Sequence, residues 1–212
     1  MSEPADRLHK VFWIGGAPCA GKSSISEILA ARFDLDVYHV DEAFEVHTRA
    51  ISSARQPNLT KWLSSTWDER WMQPIDRLVE DVTACYREHF DLIRQDILAR
   101  SDSRALLVEG AALLPEEVTK FLPNKTQAIW VVPTSDFQKE HYSRRDWLRE
   151  ILAQCENPEE SFRNWMERDA RFAAWIEAEV KRLGLQLLKI DGSRTMTEVA
   201  EEVARHFRLD GS

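Results

Sequence analysis

The chain has 212 residues, 43% hydrophobic and 30% charged, with eight Trp and a formal net charge of -8. That is ordinary globular composition with enough apolar side chains for a sizeable core, and no Pro/Gly/Ser-rich stretch divides it, so one domain over 1–212 is expected. The interleaved charge signs exclude broad binding to a nucleic-acid backbone, which needs clustered Lys and Arg, and no apolar run approaches the roughly 18 residues of a membrane span.

In chain order, Met1 to Asp6 is acidic and polar with no apolar leader, which points to a cytoplasmic protein. Lys10 to Ile14 is a short apolar run stopped by Gly15-Gly16, and Ser24 to Phe33 places Ile25, Ile28, Leu29 and Phe33 on one helical face. This predicts strand, glycine turn, helix. A second strand is predicted over Asp36 to Val40, ending at Asp41-Glu42, a helix-start signal.

The pattern weakens from Ala43 to Trp71, with a break at Gln56-Pro57-Asn58, and helical spacing resumes from Ile75 toward Arg100. Arg104 to Val108 and Gln127 to Val132 read as buried strands, the first ending in Glu109-Gly110 and the second at Pro133. Asp136 to Cys155 is charged and helical, Pro158 opens a helix carrying Phe162, Trp165, Phe172 and Trp175, and Gly184 caps it. Leu185 to Ile190 is a fifth strand, and a last helix runs near Thr197 to Phe207. Strands alternating with helices predict an α/β fold with a five-stranded parallel sheet and helices on both faces, because parallel strands need crossovers.

Gly16-Ala17-Pro18-Cys19-Ala20-Gly21-Lys22-Ser23 matches G-x-x-x-x-G-K-[ST] in full, between a predicted strand and a predicted helix. Two glycines let the backbone curl so that successive N–H groups converge on phosphate oxygens. The helix opened by Ser24 aims unpaired N–H groups at the same anion. Lys22 supplies a point charge for β and γ oxygens, and the Ser23 hydroxyl can reach Mg²⁺. Cys19 has no identifiable His partner, so a small side chain in a binding loop is favoured over a nucleophile. Cys19, Cys85 and Cys155 form no CxxC pair, which fits a reducing compartment.

The arrangement resembles the P-loop kinases of small molecules, the group holding shikimate, gluconate and nucleoside monophosphate kinases and antibiotic phosphotransferases. The resemblance spans nearly the whole chain, though only the loop is a highly specific match. It implies a P-loop NTPase three-layer sandwich, ATP and Mg²⁺ as cofactors, and transfer of the γ-phosphoryl group to a hydroxyl of a small acceptor. Asp41 then holds the place of the general base or substrate anchor, with capping of a helix from Glu42 as the other reading. Glu109 stands where the second acidic strand holds Mg²⁺ or meets substrate, unless it caps a helix at Glu116.

The resemblance also implies a basic lid at about 136–156, with Arg144, Arg145 and Arg149 for the γ-phosphate. Arg163, Arg168 and Arg171 are second choices, against a solvated face at Glu167-Arg168-Asp169. Arg194, after the last strand, falls where this group holds adenine, or simply in a turn. The segment at about 43–74 falls where acceptors bind, carrying Trp62, Trp67, Trp71, His47, Arg49 and Arg55, the two arginines being available to an anionic acceptor. A nucleoside monophosphate kinase and an ATP-hydrolysing switch module stay open as alternatives. Oligomeric state is not legible.

Overall fold

The computed structural model describes residues 8–100 and 104–209; the acidic opening Met1 to Asp6 lies outside them. The sheet consists of β1 (Val11–Gly16), β2 (Asp36–His39), β3 (Leu106–Glu109), β4 (Ala128–Pro133) and β5 (Gln186–Ile190). All pairings are parallel, in the order β2-β3-β1-β4-β5. The helices are α1 (Lys22–Phe33), α2 (Val40–His47), α3 (Pro57–Ser64), α4 (Trp67–Trp71), α5 (Ile75–Ala99), α6 (Pro115–Val118), α7 (Ser135–Ser143), α8 (Asp146–Leu152), α9 (Pro158–Leu183) and α10 (Met196–Phe207).

The three layers follow from the period-2 alternation of the central strands, which are apolar on both sides. Val11, Trp13, Leu106, Val108, Ala128, Trp130 and Val132 enter a core on one face with Phe90 and Ile93 of α5 and Phe172 and Ile176 of α9. Ile14, Leu107, Ile129 and Val131 enter a core on the other face with Ile25 and Leu29 of α1 and Val199 and Val203 of α10. A third cluster, around Trp71, Tyr142, Leu148 and Trp165, stands over the carboxyl ends of the strands.

Element boundaries moved in instructive places. The second strand stops at His39, because α2 begins at Val40 with His39 as N-cap and no side-chain cap. Asp41 therefore sits in the first helical turn and does not cap it. Pro57 opens α3 at its first position instead of breaking the chain, which its fixed φ and missing N–H allow. The charged segment after β4 is two helices, α7 and α8, broken at Arg144 and Arg145.

The end of β1 controls the loop that follows. Gly16 has φ +127, a conformation that L side chains rarely adopt, and an added Cβ would lie 1.9 Å from the Val131 carbonyl oxygen. The Ala17 N–H then donates to that same oxygen at 3.1 Å, so β4 holds the turn directly. Gly16→Ala is expected to destabilise the protein by about 2–4 kcal/mol, through strain and displacement of β4. Urea unfolding of the purified variant checks this, and an unchanged midpoint would contradict it.

Candidate functional site

The loop from Gly16 to Ser23 curls between β1 and α1, the sequence motif in its expected context. Gly21, with φ 78, is the N-cap of α1 and has no side chain to cap it, so the first-turn N–H groups stay available to an anion. Lys22 is only 8% exposed, and its Nζ donates to the Ala17 carbonyl at 2.9 Å, closing the loop on itself. Burial pushes its pKa down, while Asp41 and Glu109 pull it back. A phosphate group would supply the missing counter-charge.

Parallel register brings the acidic strand end to this loop. Glu109 pairs with Ile14 across β1 and with His39 across β2. Its carboxylate is 3% exposed, accepts from Ser23 Oγ at 3.1 Å and meets His39 Nδ1 at 2.8 Å. It does not cap α6, whose N-cap is Leu114. The Asp41 side chain is exposed and makes no hydrogen bond or ion pair among the described residues.

Three adjoining cavities run along this edge. The outer one, about 650 Å³, is lined by Cys19, Gly21, Ser24, Phe137, His141, Arg145, Asp191, Gly192 and Arg194 among others. Phe137 and His141 stack there with centroids 3.8 Å apart. The middle one, about 320 Å³, is lined by Pro18 to Ser24, Asp41, Glu109, Tyr142, Arg145 and Trp147. The third, about 630 Å³, takes Asp41, Phe44, Glu45, Tyr86, His89, Arg168 and five tryptophans: Trp62, Trp67, Trp71, Trp147 and Trp165. Cys19, Gly21, Ser24 and Arg145 belong to both outer and middle cavities, and Asp41, Tyr86 and Trp147 to both middle and third.

The arginines separate accordingly. Arg145, at the break between α7 and α8, lines two cavities and acts electrostatically on both Cys19 and Lys22. Arg144 turns outward to Glu140, and Arg149, Arg163 and Arg171 are exposed and line none of the three. Arg194 lines the outer cavity, paired with Glu202 and donating to the Lys189 carbonyl. Arg49 and Arg55 are exposed and line none of the three cavities, so they form no anion site there.

The expected solvated face at Glu167-Arg168-Asp169 is corrected in part. Glu167 is exposed, but Arg168 and Asp169 are 6% and 1% exposed, an ion pair with Nε and Oδ1 2.6 Å apart. Asp169 also accepts from Tyr142 at 3.0 Å, and burial raises its pKa. Tertiary packing on Trp71 and Trp165 overrides the local charge pattern. Burial also raises the Cys19 pKa and keeps the thiol protonated, against a nucleophile.

Sequence reasoning did not single out His39, Tyr86, His89, Tyr142 or Trp147. His39 meets Glu109 only because β2 lies beside β3. His89 could have been noticed as a lone His on the apolar face of α5, but its partner His47 lies on another helix and is itself bonded to Asp96.

The chain has the fold of the P-loop small-molecule kinases. Among solved structures it is similar to shikimate kinase from Acinetobacter baumannii in complex with shikimate, with TM-score 0.51 and 15% identity over 95% of this chain and 94% of that one. It is also similar to shikimate kinase from Aquifex aeolicus, with TM-score 0.40 and 17% identity over 95% and 99%. No family model and no curated protein matches the chain.

Burial, and then the neighbouring His47, lowers the His89 pKa from 6.5 to about 3. The folded protein therefore holds His89 neutral where an unfolded chain takes up a proton. Its contribution to stability is full above pH 6.5 and is lost as pH falls toward 3. Between pH 6.5 and 5 this group alone should remove about 2 kcal/mol, at about 1.4 kcal/mol per unit. Urea titrations at both pH values, repeated on His89→Gln, check this; an equal pH loss in the variant would exclude His89 as the source.

Proposed function

We propose that the protein is an ATP- and Mg²⁺-dependent phosphotransferase that moves the γ-phosphoryl group to a hydroxyl of a small molecule seated in the tryptophan-lined cavity. The observation carrying this reading is the succession of three cavities, with the phosphate loop in the middle and Asp41 on the boundary of the third. A nucleoside fits the outer cavity, its phosphates the loop, and the acceptor the third. Ligands of open α/β sheets bind beyond the carboxyl ends of the strands, where all three lie.

The donor atoms suit Mg²⁺. Ser23 Oγ and Glu109 offer two oxygens 3.1 Å apart, and Mg²⁺ in kinases takes one or two protein oxygens and completes its shell with phosphate and water. Among the described residues no group of three or more His, Cys, Asp or Glu forms a self-sufficient metal cage. The ion would neutralise charge on the β and γ oxygens.

The protein's own groups account for the rest. Loop N–H groups and Lys22 hold the phosphates, and Arg145 approaches from the break between α7 and α8 to meet charge gathering on the transferred group. Asp41 receives the acceptor's proton as its oxygen attacks the γ-phosphorus and the bridging P–O bond breaks, releasing ADP. Trp147, shared by two cavities, helps exclude water from the reacting atoms. An acceptor cavity walled by aromatic rings favours transfer over hydrolysis, and the lack of a free arginine pair in its lining disfavours a nucleoside monophosphate.

Lys22→Ala should abolish transfer of labelled γ-phosphate without loss of folding, and Asp41→Asn should lower kcat by about a hundredfold. Normal turnover in either variant would remove that residue from the mechanism. Glu109→Gln should raise the half-saturating Mg²⁺ concentration by about tenfold or more. An unchanged Mg²⁺ dependence would leave Glu109 with only its structural bonds to Ser23 and His39.

A further inference from the structure

Resting on the phosphotransferase reading, we propose that the acceptor is an uncharged, ring-bearing alcohol with at least one further hydroxyl group, which His89 selects. The lining of the third cavity is mostly apolar and aromatic. Flat faces of this kind recognise rings by area and stacking. The question is what charge such a ligand can carry.

Among the described residues lining this cavity, an anionic ligand finds no open partner. Arg168 is the one guanidinium in the lining; it is paired to Asp169 at 2.6 Å and lies 5.0 Å over the Trp71 ring. A ligand carboxylate that captured Arg168 would leave Asp169 buried without its counter-charge, at a cost larger than the new pair returns.

A cationic ligand is disfavoured by a different route. The tryptophan faces already serve the protein's own cations: Arg70 lies 4.7 Å over Trp62 and 4.2 Å over Trp67, and Arg145 lies 5.6 Å over Trp147. Trp71 has Arg168 over it and is stacked on Trp165 at 4.2 Å. An added ammonium would find these ring faces already taken. Asp41 and Glu45 are exposed carboxylates in the lining, and Asp41 is assigned to the reacting hydroxyl.

One buried polar residue then defines what the ligand must offer besides a ring. His89 is the end of a relay. Asp96 accepts from Tyr38 at 2.6 Å and from His47 Nε2 at 2.9 Å, and His47 Nδ1 meets His89 Nε2 at 3.0 Å. A carboxylate only accepts, so in the neutral chain His47 carries its proton on Nε2 and His89 carries its own on Nε2. That leaves His89 Nδ1 as a bare acceptor. A hydroxyl can donate to that acceptor without bringing charge.

The test is direct binding, read from tryptophan emission and independent of catalysis. The probes share one scaffold: 1-phenylethane-1,2-diol, 2-phenylethanol, 3-phenyllactate and phenylalaninol, with the biphenyl homologue of each. The diol is expected to bind best, 2-phenylethanol next, and the carboxylate and ammonium members at least about tenfold more weakly. The substitutions His89→Phe and His89→Gln should each remove the diol's advantage while the thermal midpoint stays near that of the parent. Tighter or equal binding by a charged member, or no response to any probe, would overturn the acceptor class. A diol advantage surviving both substitutions would overturn the role of His89. Because these titrations need no nucleotide, failure here leaves the phosphotransferase reading to stand or fall on γ-phosphate transfer alone.

Discussion

The hydrogen bond from Ser23 to Glu109 exists because β1 and β3 lie side by side, parallel, with Ile14 opposite Glu109. Eighty-six residues separate the two partners in the chain, yet the register sets them 3.1 Å apart. Everything chemical in the site hangs from that alignment. The same step in register brings His39 to the same carboxylate oxygen and starts α2 at Val40, which carries Asp41 toward the phosphate loop.

The loop is held as tightly from the opposite side. Gly16 packs against the Val131 carbonyl, Ala17 donates to it, and Lys22 reaches back to Ala17. The loop is therefore shaped before any anion arrives, with a buried lysine whose charge has been only partly compensated. Preorganisation of this kind lowers the cost of binding, because the donors need not be gathered at the moment of contact. Gly110 extends the logic, since its lack of a side chain is what lets Val40 pack closely beside the end of β3.

The third cavity has a different origin. It is built from α2 to α5 together with α8 and α9, elements far apart in sequence, and its walls are held by aromatic stacking and by arginines lying over rings. The tryptophans are core and lining at once. Trp71 is among the most deeply buried side chains of the molecule and still borders the cavity. The question of packing or pocket, which residue type alone poses as a choice, thus has both answers at the same ring.

From the sequence alone one could read the phosphate loop, the order of strands and helices, the carboxylate ending a strand at Glu109, and the carboxylate just past the second strand at Asp41. These are local signals: a glycine spacing, a period of 2 or 3.6, a carboxylate closing an apolar run. Tertiary structure alone decided which of the two arginines faces the cavities, since Arg144 and Arg145 are chain neighbours and only the break between α7 and α8 separates their directions. It also buried Arg168 and Asp169, which local charge pattern assigns to solvent, and linked His89 through His47 to Asp96. The physical reason is the same in each case. Backbone preference and hydrophobic period act within a few residues, whereas burial and partner choice depend on what other elements bring to the same place.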